Sequence, residues 1–195
     1  MNHYRNNFGF SLIEVLVTIV ILMIGLLGLA GLQARALTVQ MESYQRAQAL
    51  VLLKDMADRI DTNRKNAALY VTAAPLGTGG TCPAGASIVN ADLCAWHNTL
   101  LGAAETLVGA TTTNVGAMIG ARGCIYQVVA PASGIAAQYS IVVAWQGLNN
   151  TAPPDISTAT SAGNCGYHEY KDKNGNIIEE LHRVVALPIA VADLQ

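Results

Sequence analysis

Few residues in this chain have the type and spacing to do chemistry. His168-Glu169 begins like the zinc-protease pattern H-E-x-x-H, but the last position is Asp172 rather than a second histidine. The segment also reads as a strand, where residues i and i+4 do not present ligands as they would on a helix. Asp172-Lys173-Asn174-Gly175-Asn176 begins like a calcium loop, yet Ile177 stands where the sharp turn needs glycine and Arg183 where the bidentate glutamate belongs. A hairpin turn explains it better. No G-x-S-x-G, P-loop or dinucleotide fingerprint occurs, and His3, His97 and His182 have no recognisable catalytic company. No catalytic residue, metal or cofactor is therefore expected.

Cys82, Cys94, Cys124 and Cys165 form no C-x-x-C pair of the kind zinc sites use. A disulfide framework in an oxidising compartment fits them. Four cysteines allow three pairings. The expectation is Cys82 with Cys94, closing a short loop onto a helix that bears Trp96, and Cys124 with Cys165, tying a sheet to a long loop. Each closure is worth about 2–4 kcal/mol. The other residue that raises a chemical question is Glu14, a lone carboxylate at the edge of an apolar run. An acid at the bilayer centre costs about 2.5–3.5 kcal/mol, less near the end, and is a functional hypothesis by default.

The element that positions Glu14 is the uncharged stretch between it and Arg35, residues 15–34. As a helix at about 1.5 Å per residue it spans roughly 30 Å, one bilayer core. Gly25, Gly28 and Gly31 recur along it, which suits close packing of membrane helices and also local loosening of the helix when subunits pack. Ala34-Arg35-Ala36 resembles a signal-peptidase site and leaves open a secreted binding protein cut after Ala36. Against that, the run exceeds the usual length of about 7–15 residues and is followed by a helical pattern.

That pattern extends from Gln33 to Arg64. Leu37, Met41, Tyr44, Leu53, Met56 and Ile60 form its apolar stripe, thickened at Leu50–Leu53, while Arg35, Arg46, Lys54, Asp55 and Arg59 keep the other faces wet. Asp61-Thr62-Asn63 ends it. Residues 67–81 read as a loop, and Asp92 as the cap of a short helix carrying Leu93, Trp96, Leu100 and Leu107, with Trp96 in the core. Cys124–Ala130 and Tyr139–Trp145 read as a hairpin about Pro131–Gly134. Tyr167–Asp172 and Ile177–Ile189 read as a second hairpin about Asn174-Gly175. The sum is an antiparallel sheet of about four strands.

Composition leaves room for little more. The chain has 195 residues, 52% hydrophobic and 12% charged, so one membrane helix and one modest domain account for it. A net charge of −2 gives no electrostatic footprint for nucleic acid, and none is expected as a partner. Charge does not orient the span either, since Arg5 on one side faces Arg35 on the other. The cysteines do, placing the C-terminal domain outside the cytoplasm.

Gly9-Phe10-Ser11-Leu12-Ile13-Glu14-Val15 resembles the class III signal of type IV prepilins and pseudopilins: a short basic leader ending in Gly, then Phe, with Glu as the fifth residue after the cut. The resemblance implies cleavage by the prepilin peptidase between Gly9 and Phe10 and methylation of the new Phe10 amine. In a filament, Glu14 of one subunit would neutralise the Phe10 amine of its neighbour, a role in subunit assembly; alternatively Glu14 serves only in recognition by the peptidase. Residues 25–36, Gly-Leu-Leu-Gly-Leu-Ala-Gly-Leu-Gln-Ala-Arg-Ala, with Tyr44-Gln45-Arg46 and Asp55-Met56-Ala57-Asp58-Arg59-Ile60, are similar to the type IV pilus modification minor pilins, the PilV family. Cys165-Gly166 and Leu181–Leu187 resemble the C-terminal end of the same family.

The fold class so implied is α+β and pilin-like, a long N-terminal α-helix packed on a small antiparallel sheet. The domains would be a leader at 1–9, a transmembrane and filament-core helix at 10–34, an amphipathic extension at 35–66 and a periplasmic globular domain at 67–195. The chain would be a non-enzymatic minor pilin in the initiation, assembly or modification of type IV pili. It would be held in the inner membrane by a single pass and then incorporated in the pilus. Its partners would be major and minor pilins, the prepilin peptidase, the inner-membrane assembly platform and the membrane itself. A minor pseudopilin of a type II secretion system shares the same leader and stem.

Overall fold

The structure, a computed structural model, describes residue 9 and residues 11–102, 106–107, 113–114, 116, 118–132 and 135–192. In chain order it comprises α1 (Leu12–Thr62), a 3-10 helix (Arg64–Tyr70), β1 (Leu76–Gly77), α2 (Ile88–Leu100), β2 (Thr106–Leu107), β3 (Thr113–Asn114), β4 (Ile119–Val129), β5 (Ala137–Gln146), two short 3-10 helices (Ala162–Asn164 and Glu179–Leu181) and β6 (His182–Val191). The described residues fall into two compact units, one up to Met41 and one from Glu42 onward.

The first unit is helix alone. Residues 12–41 contain no proline, and none of them is buried. Thr18 and Thr38 donate their hydroxyls to the carbonyls of Val15 (2.8 Å) and Ala34 (3.2 Å), so these side chains are satisfied within the helix. A Cβ built on Gly25, Gly28 or Gly31 would meet nothing within 4 Å, so packing within the chain does not require glycine there.

The second unit is built on a four-stranded antiparallel sheet of order β1-β4-β5-β6. Strand alternation sends Ala121, Ile125, Tyr139, Ile141, Val143 and Trp145 to one face, where they meet the end of α1 and α2. Cys124, Val142 and Ala144 go to the other face, under Cys165 and Tyr170 of the 147–181 loop. With both faces covered, residues 141–145 of β5 are buried without a break. From Gln45 on, α1 contributes Gln45, Ala49, Leu53, Met56, Ala57 and Ile60, at helical spacing, to the buried side. The helix stops where Asn63 N–H turns back to the carbonyls of Arg59 and Ile60, both at 3.2 Å.

Several expectations change. Leu37, Met41 and Tyr44 are exposed rather than part of the buried stripe, as are Leu50 and Val51. The buried line instead begins at Gln45 and runs through Ala49, Leu53, Met56, Ala57 and Ile60. Asp92 does not cap α2. The helix begins earlier, at Ile88, and the Ser87 hydroxyl accepts the N–H of Asn90 at 3.1 Å. Leu107 lies in β2 and not on that helix. The 67–81 segment is not all loop: it holds the end of the 3-10 helix and β1, whose Leu76 and Gly77 pair with Gly123 and Arg122.

The β4/β5 hairpin stands, with Ala132 and Ile135 exchanging backbone hydrogen bonds at its turn. The second hairpin is reduced to its tip. Gly175 has φ +85° and its N–H meets the Asp172 carbonyl at 3.0 Å, but Tyr167–Asp172 contributes only the bridge Lys171↔Ile177. β6 pairs with β5 from Gln146↔His182 to Ala137↔Val191 instead. The fourth sheet strand is therefore β1. Burial decides between the two: a ten-residue ladder on the buried β5 protects far more backbone than pairing across a solvent-exposed turn.

Candidate processing and assembly site

Phe10 and the leader residues Met1–Phe8 lie outside the described residues. Gly9 is exposed; a Cβ on it would meet nothing within 4 Å, so packing does not require glycine there. Two residues on, the Ser11 carbonyl accepts the N–H groups of Glu14 (3.0 Å) and Val15 (3.3 Å) and opens α1. Glu14 thus sits in the first turn, where a carboxylate faces the positive end of the helix dipole. Its side chain is exposed, and among the described residues it has no ion-pair partner. The apolar surface behind it is exposed in the same way, from Leu12 to Leu32.

In the globular unit, by contrast, the polar groups at the end of α1 find partners within the chain. Arg59 holds Asp55 one turn back and Asp92 of α2, each at 3.0 Å. Tyr70 donates its hydroxyl to the other oxygen of Asp92 at 2.6 Å and accepts from the amide of Asn63 at 3.1 Å. Burial, reinforced by Asp92, pushes the Tyr70 phenol up to about 12, and the hydrogen bond to Asp55 leads in raising Arg59. This relay fastens the end of α1, the 3-10 helix and α2 together. Of its members, the sequence makes only the i,i+4 spacing of Asp55 and Arg59 visible.

Glu42, also unforeseen, accepts the backbone N–H groups of Leu148 (3.1 Å) and Asn149 (3.0 Å), with Arg183 at 3.6 Å. Trp96 is fully buried and its indole N–H donates to the Leu52 carbonyl at 3.0 Å, a core role.

His97 and His182 hold structural hydrogen bonds, and His3 lies outside the described residues. His97 Nδ1 accepts the N–H of Gly77 at 3.0 Å. His182, buried, lies between the Glu179 carboxylate (3.2 Å) and the Cys165 carbonyl (2.9 Å), and burial lowers its pKa against both. His168 offers its backbone N–H to Glu179, while Glu169 pairs with Arg122 at 2.8 Å. Asp172, which would open a calcium loop, spends its carboxylate on the N–H groups of Asn174 and Asn176, both at 2.8 Å, and these hold its pKa down. Among the described residues no cluster of His, Cys, Asp or Glu could hold a metal ion. The cysteines are joined Cys82–Cys94 and Cys124–Cys165. The first bond anchors the loop before α2, and the second ties β4 to the loop covering the outer sheet face.

Residues 4–30 match the prokaryotic N-terminal methylation motif, and residues 31–95 match the family described as type IV pilin Tt1218. The two matches abut within α1, and the second runs through the Arg59–Tyr70–Asp92 relay to the Cys82–Cys94 disulfide. Neither the curated proteins nor the solved structures gave a match. Subunits of this kind are anchored by the apolar helix, processed by the prepilin peptidase and assembled with other pilins. An N-terminal methylation motif leading into a pilin segment, on a long helix packed on a four-stranded antiparallel sheet, makes this chain a type IV pilin-like prepilin, a structural subunit and not an enzyme.

Proposed function

We propose that the chain is a minor pilin that takes part in initiating, assembling or modifying type IV pili, as its likeness to the PilV family implies. The observation that carries the assembly role is that residues 11–41 bury nothing, although most are apolar, and that Glu14 has no cation among the described residues. Apolar surface on this scale must be covered by lipid or by other helices. In this reading the leader 1–9 is removed between Gly9 and Phe10, and Phe10 is N-methylated and stays cationic at neutral pH. Residues 10–34 span the inner membrane and later form the filament core, and 35–66 extend the helix. The domain of 67–195 lies in the periplasm, which its two disulfides favour.

Glu14 then acts as an entry requirement. A buried charge without a partner costs several kcal/mol, so a subunit whose Glu14 does not meet a neighbour's Phe10 amine is held out of the filament. The inner-membrane assembly platform is the partner that receives it. A cut after Ala36 would fall inside α1, which continues unbroken through Ala34–Ala36.

The test is mass spectrometry of the mature N-terminus together with the protein content of sheared surface pili. N-methyl-Phe10 in the pilus fraction is expected. A terminus at Met1 or Leu37 overturns the processing. A processed chain missing from pili, whose deletion stops protein secretion instead, assigns it to a type II secretion system.

A further inference from the structure

The sheet has an open side. It ends at β6, which pairs only with β5 among the described residues. Which backbone groups of β6 turn outward follows from the ladder. Gly147 N–H donates to the Leu181 carbonyl at 2.8 Å, one step before the pair Gln146↔His182. Hydrogen-bonded and non-hydrogen-bonded pairs alternate along an antiparallel ladder, so the even-numbered residues from His182 to Ala190 aim their N–H and C=O away from β5. Pro188 falls on this parity, where its missing N–H costs the ladder nothing. No described hydrogen bond outside the ladders uses the backbone of Val184, Ala186 or Ala190.

Beside this edge, Val185, Leu187, Ile189 and Val191 form an apolar row only partly buried against the core. A row of outward N–H and C=O groups above half-covered apolar side chains fits one kind of occupant, an extended strand with alternating apolar residues. Its length identifies the source. Pro188 interrupts the donors, leaving Val184 and Ala186 as the consecutive open pair, far short of the roughly 1,200–2,000 Å² that a stable complex in solution buries. The strand must come from a molecule already held alongside by other contacts. Pilins anchored by parallel apolar helices meet that condition.

We infer that the outer edge of β6 at Val184–Ala186 is a strand-docking site for the sheet edge of a neighbouring pilin subunit, with Pro188 limiting how far the pairing extends. This inference rests on the chain assembling as a pilin. The test places a photo-crosslinking amino acid at Ala186 of the full-length protein in its membrane, with Lys173, at the exposed turn, as control. A cross-link from position 186, but not 173, to a chain identified as a pilin is expected. Ala186→Pro, which removes an outward N–H as Pro188 does, should keep both disulfides and lower the chain's share in sheared pili several-fold. If Ala186→Pro does not fold, the cross-link alone decides. Cross-linking from 186 to lipid only, to no protein or to a protein other than a pilin overturns the docking site, as does unchanged incorporation of a folded Ala186→Pro chain. The N-terminus is read in the same samples: N-methyl-Phe10 without the cross-link overturns only the edge, whereas an uncut Met1 overturns the processing.

Discussion

The helix before Glu42 and the globular unit after it satisfy their residues in opposite ways. In residues 11–41 no side chain is buried, although most are apolar, and the one carboxylate, Glu14, has no cation among the described residues. In the unit from Glu42 on, Trp96, Tyr70 and Ile141 are fully buried, and even the half-exposed Arg59, Asp92 and Glu42 meet partners within the chain. A segment that leaves its apolar and charged groups unmet has its function between molecules, whereas a segment that meets them internally holds a shape. The first should therefore tolerate mutation in the isolated chain and fail on assembly, and the second should fail on folding.

Glu14→Ala is the sharpest way to break this contrast and carries the largest expected effect. The chain should still insert and be cleaved but be absent from pili, because the substitution removes the charge partner without disturbing the span. Immunoblots of membrane and sheared-pilus fractions check this. Normal incorporation sinks the pairing, and loss of cleavage assigns Glu14 to recognition by the peptidase.

Replacing Cys124 and Cys165 by serine should act in the other manner, lowering stability by about 2–5 kcal/mol with insertion unaffected. The bond closes a separation of 41 residues and holds the loop over Val142 and Ala144. Denaturant unfolding of the full-length protein in detergent measures the loss. Gly123→Ala should cost about 1–3 kcal/mol by overpacking. Its new Cβ would lie 2.4 Å from Trp96 Cη2 and 2.7 Å from Leu100 Cδ1, and neither a buried ring nor a helix-borne leucine moves freely. The midpoint shift should appear without any change in processing at Gly9.

The smallest effect is one of pH. The Tyr70 phenol is raised from 10.0 to about 12 in the folded chain, so its contribution is full below pH 10 and is lost as pH rises towards 12, where the unfolded chain releases the proton first. Tyr70→Phe should flatten part of the alkaline fall in stability over that window. Tyr126, Tyr139 and Tyr170, also raised by burial, add to the same alkaline fall. A fall of unchanged steepness would show that Tyr70 ionises as freely in the fold as out of it.

What the sequence determined by itself lies in features of short range. A run of twenty uncharged residues, followed by an apolar period that stops at Asp61-Thr62-Asn63, marks one long helix with apolar surface along its first half, so α1 and its length were legible. So was the tight turn at Gly175, because a positive φ is a local demand. Tertiary structure decided whatever depends on which surfaces meet. Leu37, Met41 and Tyr44 had the spacing of a buried stripe, but burial on α1 begins only at Gln45 and runs through Ala49, Leu53, Met56, Ala57 and Ile60, where the core of the globular unit lies against the helix. Asp92 had the look of a cap and became the partner of Arg59 and Tyr70, residues 33 and 22 positions away. Leu76-Gly77 carried no strand signal, yet pairing with β4 made it the fourth strand, while Tyr167–Asp172, with a better pattern, was left a single bridge. Periodicity reports which residues can be buried together; only the fold decides which surface is there to bury them.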